Sequence, residues 1–279
     1  MNDQLLRLHY SPCPNDTFIF HGLASGLVPL PGFRLETSLA DVEVLNARAA
    51  RGEADACKVS FAAAAGLLDD WLLLRAGGAM GRGVGPVLVA REGTTPDDLR
   101  GKAVAIPGSR TTANLLFGLY CRELGMEVER VELVFDQIMP AVARGEVAAG
   151  VVIHEGRFTY AEHGLSMLTD LGRWWEERRG LPIPLGVIAV RRALGPDVAG
   201  LVQDAIRRSL DLARGGAAGL WDFIRSHAQE MDEAVIRRHI ETFVTDFSWD
   251  IGEEGRRAAL ALFSEARPGA LPGPVFLGD

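Results

Sequence analysis

Apolar residues in this chain follow two rhythms: short β-branched runs of strand character, and longer segments whose apolar positions recur at three- and four-residue spacing. Residues 4–10 alternate as a strand does. Ser11-Pro12-Cys13-Pro14-Asn15-Asp16-Thr17 breaks that run with two prolines, and Phe18 to Leu23 resumes with helical spacing. Asn15, Asp16 and Thr17 are helix-capping residue types, which predicts a cradle for an anion or polar ligand at this helix start. Phe33 to Leu39 predicts a second strand ending near Asp41. Val42 to Arg51 predicts a helix, Arg51-Gly52-Glu53 a turn, and the run into Val59-Ser60 a third strand.

The same series then recurs. Lys102 to Ile106 reads as a strand, Pro107 to Thr112 as a polar loop, and Ala113 to Leu119 as the start of a helix. Val131 to Phe135 predicts a strand ending at Asp136, the counterpart of Asp41. After a helix, Arg144-Gly145-Glu146 repeats Arg51-Gly52-Glu53, and Gly150 to Ile153 repeats the strand ending at Ser60. The landmarks keep their order at offsets of 93 to 96 residues, which argues for two lobes of related topology. On that reading Ser60 and His154 stand at equivalent strand ends and face each other across a cleft.

The strand-like runs 85–91 and 184–191 lie beside Gly and Pro and suit two hinge crossings between lobes. The expected division is therefore a discontinuous lobe one, 1–90 with 187–279, and an inserted lobe two, 91–186. Asp197 to Arg214, Ala217 to His227, Asp232 to Thr245 and Glu253 to Ala266 predict helices, and 268–274 an irregular tail.

Composition narrows the function more than the fold. A net charge of −8 and the lack of a basic cluster give no footprint for a nucleic-acid backbone, so the expected partner is a small molecule. No window is long and apolar enough for a membrane span, and the start of the chain has no basic n-region with an apolar h-region; the expectation is a cytoplasmic protein. Cys13, Cys57 and Cys121 have neither disulfide-framework nor zinc-ligand spacing and read as reduced thiols. His154-Glu155 lacks a second histidine four residues on, because Phe158 stands there, so the zinc-protease pattern fails. The glycine-dense run 77–85 matches neither a Walker loop nor a dinucleotide fingerprint and reads as a tight connection. Ser109-Arg110-Thr111-Thr112 precedes a helix, where hydroxyls and free amides suit either a carboxylate or simple capping. The apolar strand ending at His154 places one near-neutral imidazole where ligands bind in open α/β sheets, suiting a general base.

Ser-Pro-Cys-Pro-Asn-Asp-Thr-Phe at 11–18, the glycine-rich run to Gly85, and Ile-His-Glu-Gly-Arg-Phe-Thr-Tyr at 153–160 resemble the 1,4-dihydroxy-6-naphthoate synthases of the futalosine route to menaquinone. The resemblance covers nearly the whole chain. It implies an α/β fold of two lobes, like the type II periplasmic solute-binding proteins, with the ligand cleft between them. It also implies cleavage of a carbon–carbon bond in cyclic dehypoxanthine futalosine, a carboxylate, without metal or organic cofactor. The family's histidine falls on His154, and its polar pocket residues on Asp41, Asn46, Ser60, Thr111 and Thr112. Some members carry Ser where Gly156 stands, a change with no expected effect on the chemistry. The runners-up are chorismate dehydratase of the same route and a non-catalytic binder of small organic acids. Oligomeric state and the roles of Arg82, Arg110 and Arg157 stay open at this point.

Overall fold

The computed structural model describes residues 3–229 and 232–279. The chain divides into two compact units, Met1–Gly81 with Pro184–Asp279, and Arg82–Ile183. The first bound lies nine residues before the expected 90/91 and the second three before 186/187. The reason is hydrogen bonding: strand 87–91 pairs only with strands of the second unit, so the chain has already changed units before it.

The first unit opens with β1 (Gln4–Tyr10), α1 (Pro14–Ala24), β2 (Phe33–Leu39), α2 (Val42–Ala50) and β3 (Ala56–Ser60). A short α3 (Phe61–Ala64), β4 (Trp71–Leu73) and β5 (Ala79–Gly81) follow. The second unit holds β6 (Val87–Arg91), β7 (Ala103–Ile106), α4 (Thr112–Glu123), β8 (Glu129–Glu132), α5 (Phe135–Arg144) and β9 (Ala149–Val152). It ends with α6 (Gly156–Thr159), β10 (Leu165–Asp170) and α7 (Leu171–Arg179). The return strand β11 (Ile183–Arg191) leads into α8 (Gly195–Arg214), α9 (Leu220–His227), α10 (Glu233–Phe243), α11 (Asp246–Trp249) and α12 (Gly252–Ala266). None of the described helices is long and apolar enough to cross a membrane.

The sheet of the first unit runs β2-β1-β3-β11-β4, with β5 added on β11. That of the second runs β8-β7-β9-β6-β10. The two orders correspond strand for strand. In each, a first strand lies parallel to the next two on either side, and the fourth position is antiparallel. The Arg-Gly-Glu turns correspond in detail as well. Gly52 and Gly145 have φ of 70° and 77°, a region costly to any residue with a Cβ. A Cβ on either would lie 2.4 Å from a guanidinium nitrogen, that of Arg191 at the end of β11 or that of Arg91 at the end of β6.

Where the pattern and the structure part, local capping decides. Helix α1 begins at Pro14 rather than Phe18, because the first helical position has no use for the amide hydrogen that proline lacks. Phe135 does not end a strand: β8 stops at Glu132, Val134 caps α5, and Asp136 sits in its first turn, where a carboxylate suits the helix dipole. At the offset between the two Arg-Gly-Glu turns, the counterpart of Asp41 is therefore Val134, not Asp136. By the same offset Ser60 corresponds to Ile153, and His154 lies one residue further on.

The core of the first unit packs Leu6, Leu8, Tyr10, Ile19, Phe20, Ile188, Val202, Ile206 and Leu210 between sheet and helices. One ion pair is built into it. Lys58 Nζ lies 2.5 Å from Asp16 Oδ1 and donates to the Gly77 carbonyl at 3.1 Å. The Asp16 carboxylate also accepts from the Ser11 amide, the Ser11 hydroxyl at 2.8 Å and the Asn15 amide at 2.9 Å. His239 of α10 joins through Nε2, 3.0 Å from Asn15 Oδ1; because that oxygen accepts, Nε2 carries the proton. The core of the second unit gathers Val87, Val89, Ala105, Ile138, Met139, Val142 and Val152.

Removing one partner of a buried pair leaves an uncompensated charge, so Lys58→Met is expected to cost about 3–5 kcal/mol in urea unfolding. Lys58→Met with Asp16→Leu is expected to lose less than the two single variants together. Stability also depends on pH through His9 and His21. Burial lowers the pKa of both below the ordinary 6.5, with Arg48 and Arg7 adding to the effect at His9. The unfolded chain therefore takes up protons around pH 6.5 that the folded chain still refuses, and stability falls as pH drops below that point. Melting temperatures measured between pH 7.5 and 5.5 are expected to show this decline, with a shallower slope in His21→Gln.

Candidate functional site

In each sheet the chain leaves the first strand for a neighbour on one side and returns to pair on the other. In open α/β sheets the carboxyl ends of the strands flanking such a reversal, here β1 and β3 in one unit and β7 and β9 in the other, are where ligands bind. Of the residues predicted for the site, Ser60 ends β3, His154 lies two residues beyond β9, Asp41 caps α2 and Asn46 lies within it, and Thr111 and Thr112 start α4.

In the first unit, Asn46 of α2 and Ser60 at the end of β3 are both buried and mutually bonded. Asn46 Nδ2 donates to Ser60 Oγ at 3.1 Å, and the Ser60 amide donates to Asn46 Oδ1 at 2.9 Å. Asn46 Nδ2 also donates to Glu43 at 3.2 Å, so its two amide hydrogens and its oxygen are all engaged. Since the Ser60 oxygen accepts from Asn46, the hydroxyl hydrogen is what this pair offers a ligand. Asp41 caps α2, with Oδ1 accepting from the Glu43 amide at 2.9 Å. The Ser11–Thr17 loop, predicted as an anion cradle, is closed by its own carboxylate. The Asp16 and Thr17 amides donate to the Cys13 carbonyl, and Ser11 bonds Asp16.

In the second unit, Thr111 caps α4. Its hydroxyl donates to the Gly108 carbonyl at 2.8 Å and accepts from the Asn114 amide at 3.1 Å. That hydroxyl holds the helix start in place, and Thr111 and Thr112 are both buried. Arg157 is tied down: it donates to the Gly85 carbonyl at 2.5 Å and to Asp170 at 3.2 Å, which makes it a brace between β6 and β10. Gly85 and Gly172 pack backbone to backbone beside it; a Cβ on Gly85 would lie 2.2 Å from the Gly172 Cα.

His154 follows β9 with φ of 56°, the one residue other than glycine in the left-handed region among those described. Non-glycine residues are held there only where the surroundings over-determine them, and such strain concentrates at functional sites. The imidazole meets the Phe135 ring nearly edge to face, with centroids 5.0 Å apart and planes at 68°. Gly156, two residues on, has no room for a side chain: a Cβ would lie 2.5 Å from Val152 Cγ1 and 3.3 Å from Met139 Cε. A serine at this position would force Val152 to move.

The cysteine thiols are buried, and burial pushes that of Cys57 up to about 12 and that of Cys121 up to about 11, unsuited to nucleophilic work. No group of three or more His, Cys, Asp or Glu residues among those described is placed to hold a metal ion. Sequence reasoning missed Lys58 and Phe135. A lysine inside the apolar run Ala-Cys-Lys-Val-Ser was the available signal for the first; the second had been placed in a strand.

A family profile described as menaquinone biosynthesis matches residues 6–268. Two relatives, from Thermus thermophilus and Streptomyces coelicolor, carry the name 1,4-dihydroxy-6-naphthoate synthase. The first is 48% identical over 97% of this chain and 97% of its own length, the second 46% identical over 95% and 94%. A solved structure from Archaeoglobus fulgidus is similar with a TM-score of 0.87 at 34% identity, covering 94% of this chain and 96% of its own. A Candida albicans protein, described as exhibiting the generic periplasmic-binding-protein fold, aligns with a TM-score of 0.68 at 13% identity over 99% of this chain and 93% of its own. That likeness, with the two mixed sheets, gives the two-lobed α/β class expected from the sequence.

The left-handed backbone at residue 154 is expected to show as stored strain. A left-handed non-glycine residue costs roughly 1–2 kcal/mol, partly offset on substitution by the greater unfolded-state freedom of glycine. His154→Gly is thus expected to be more stable than the parent by about 0.5–1 kcal/mol in chemical denaturation, and His154→Ala to show no gain.

Proposed function

Because the chain belongs to the menaquinone-biosynthesis family, we propose that it is a 1,4-dihydroxy-6-naphthoate synthase, a lyase of the futalosine route acting on cyclic dehypoxanthine futalosine. The observation that carries the reading is near-half identity to two synthases over almost the whole chain, joined to a strained histidine at the carboxyl end of β9. In this reading His154 is the general base. Aromatising the ring while breaking a carbon–carbon bond requires removal of a proton from a carbon or hydroxyl beside a carbonyl, and a neutral imidazole held in place performs this near pH 7.

The remaining residues bind. Asp41 and the hydroxyl hydrogen of Ser60 hold the polyol part, with Asn46 fixing Ser60. The substrate carboxylate is assigned to the start of α4, where Thr112 and the helix dipole favour an anion; Thr111 contributes by capping that turn. This modifies the simpler idea of two threonine hydroxyls as donors, since that of Thr111 is already engaged. Biosynthetic relatives and three free cysteines support a cytoplasmic location.

The test is incubation of the protein with cyclic dehypoxanthine futalosine, with chorismate as control and mass detection of 1,4-dihydroxy-6-naphthoate. His154→Asn is the informative variant, because asparagine tolerates the left-handed backbone and so keeps the fold. Loss of a general base is expected to lower kcat by about 100- to 10,000-fold. Wild-type turnover in that variant, or turnover of chorismate instead, would remove the reading.

A further inference from the structure

We propose that Phe135 is a positioning residue whose ring sets the orientation of the His154 imidazole. The inference rests on His154 being the base. Phe135 is the first residue of α5, half-buried, and takes no part in the core cluster to which its own helix contributes Ile138, Met139, Ala141 and Val142. Its ring is placed instead against the imidazole, 5.0 Å between centroids and 68° between planes, an arrangement that aromatic pairs favour and that is lost when either ring rotates.

The helix comes this close because residues on both sides of His154 lack a side chain. A Cβ on Gly150 would lie 2.3 Å from Ile138 Cγ2 and 3.0 Å from Val142 Cγ2, and one on Gly156 would lie 3.3 Å from Met139 Cε. Ile138, Met139 and Val142 all belong to α5. The helix is thus seated on β9 at Gly150, with Met139 reaching Gly156 of α6, and that seating carries Phe135 to the histidine. The turn at His154 is left-handed, so the backbone there aims the Cα–Cβ bond, and the neighbouring ring restricts rotation beyond it.

Phe135→Leu keeps apolar volume and removes the ring; Phe135→Tyr keeps the ring. A small misplacement of a catalytic group costs on the order of 100-fold. The expected result for Phe135→Leu is a kcat lower by about 10- to 100-fold with KM within twofold, and for Phe135→Tyr recovery to within about threefold of the parent. In NMR spectra of protein with labelled histidine, the ring C–H signals of His154, assigned by their absence in His154→Asn, are expected to move in Phe135→Leu as the ring-current shift is lost. Three results would overturn the proposal: wild-type kcat in Phe135→Leu, equal losses in the leucine and tyrosine variants, or unmoved His154 signals. His154→Asn run beside them separates the two levels. If it turns over normally, the base assignment fails; if it is inactive while Phe135→Leu is normal, only the role of Phe135 fails.

Discussion

A buried ammonium needs a partner, and the match between Lys58 and Asp16 decides what the β1–α1 loop can do. The Asp16 carboxylate sits in the first turn of α1 and gathers Ser11, Asn15 and Lys58 around it, so the positive end of that helix is already neutralised from within. The second unit has the same strand order, but among the described residues it shows no such pair at the matching positions. The position in β9 corresponding to Lys58 is Val151, and the third residue of α4 is Asn114, capped by a neutral threonine. Two topologically matched helix starts therefore differ by one carboxylate. The first turn of α1 carries an anion of its own, and that of α4 has no acidic residue.

The repeat was legible because turns tolerate little variation. Arg51-Gly52-Glu53 and Arg144-Gly145-Glu146 each need a glycine with positive φ under an arginine from the fourth strand of the sheet, and each closes with an Arg–Glu pair. Strand order followed from those landmarks together with the apolar runs. What failed was the edge between β8 and α5: Val131 to Phe135 alternates like a strand, and only the placement of Val134 as a cap shows Phe135 to be helical. Periodicity registers apolar character, and a phenylalanine serving a neighbouring side chain looks the same as one serving a core.

For the candidate residues, the sequence reveals their surroundings to different depths. Asn46 and Ser60 were named as pocket residues, yet their reciprocal bonding joins positions 14 residues apart and is invisible to spacing. For Ser-Arg-Thr-Thr both an anion site and simple capping were open; Thr111 caps with both its hydrogen and a lone pair, and nothing in the four residues says which threonine does so. Lys58 was passed over because a lone lysine in a strand announces no partner when that partner lies 42 residues away. The left-handed turn at His154 has no sequence signature at all, since glycine, not histidine, is the residue that advertises such geometry.

That absence is itself informative about why a histidine stands there. A chain selected only for stability would place glycine at residue 154, as it does at 145 and 164 in the same unit, where φ is 77° and 68°. Histidine at 154 keeps the strain and gains an imidazole aimed by a turn that the surrounding packing holds fixed: Gly150 and Gly156 admit α5 on either side, and Phe135 abuts the ring. The glycines that flank the histidine and the histidine that replaces a glycine are one arrangement. Close approach of helix to strand requires the first, and a side chain of defined direction at the strand's end requires the second.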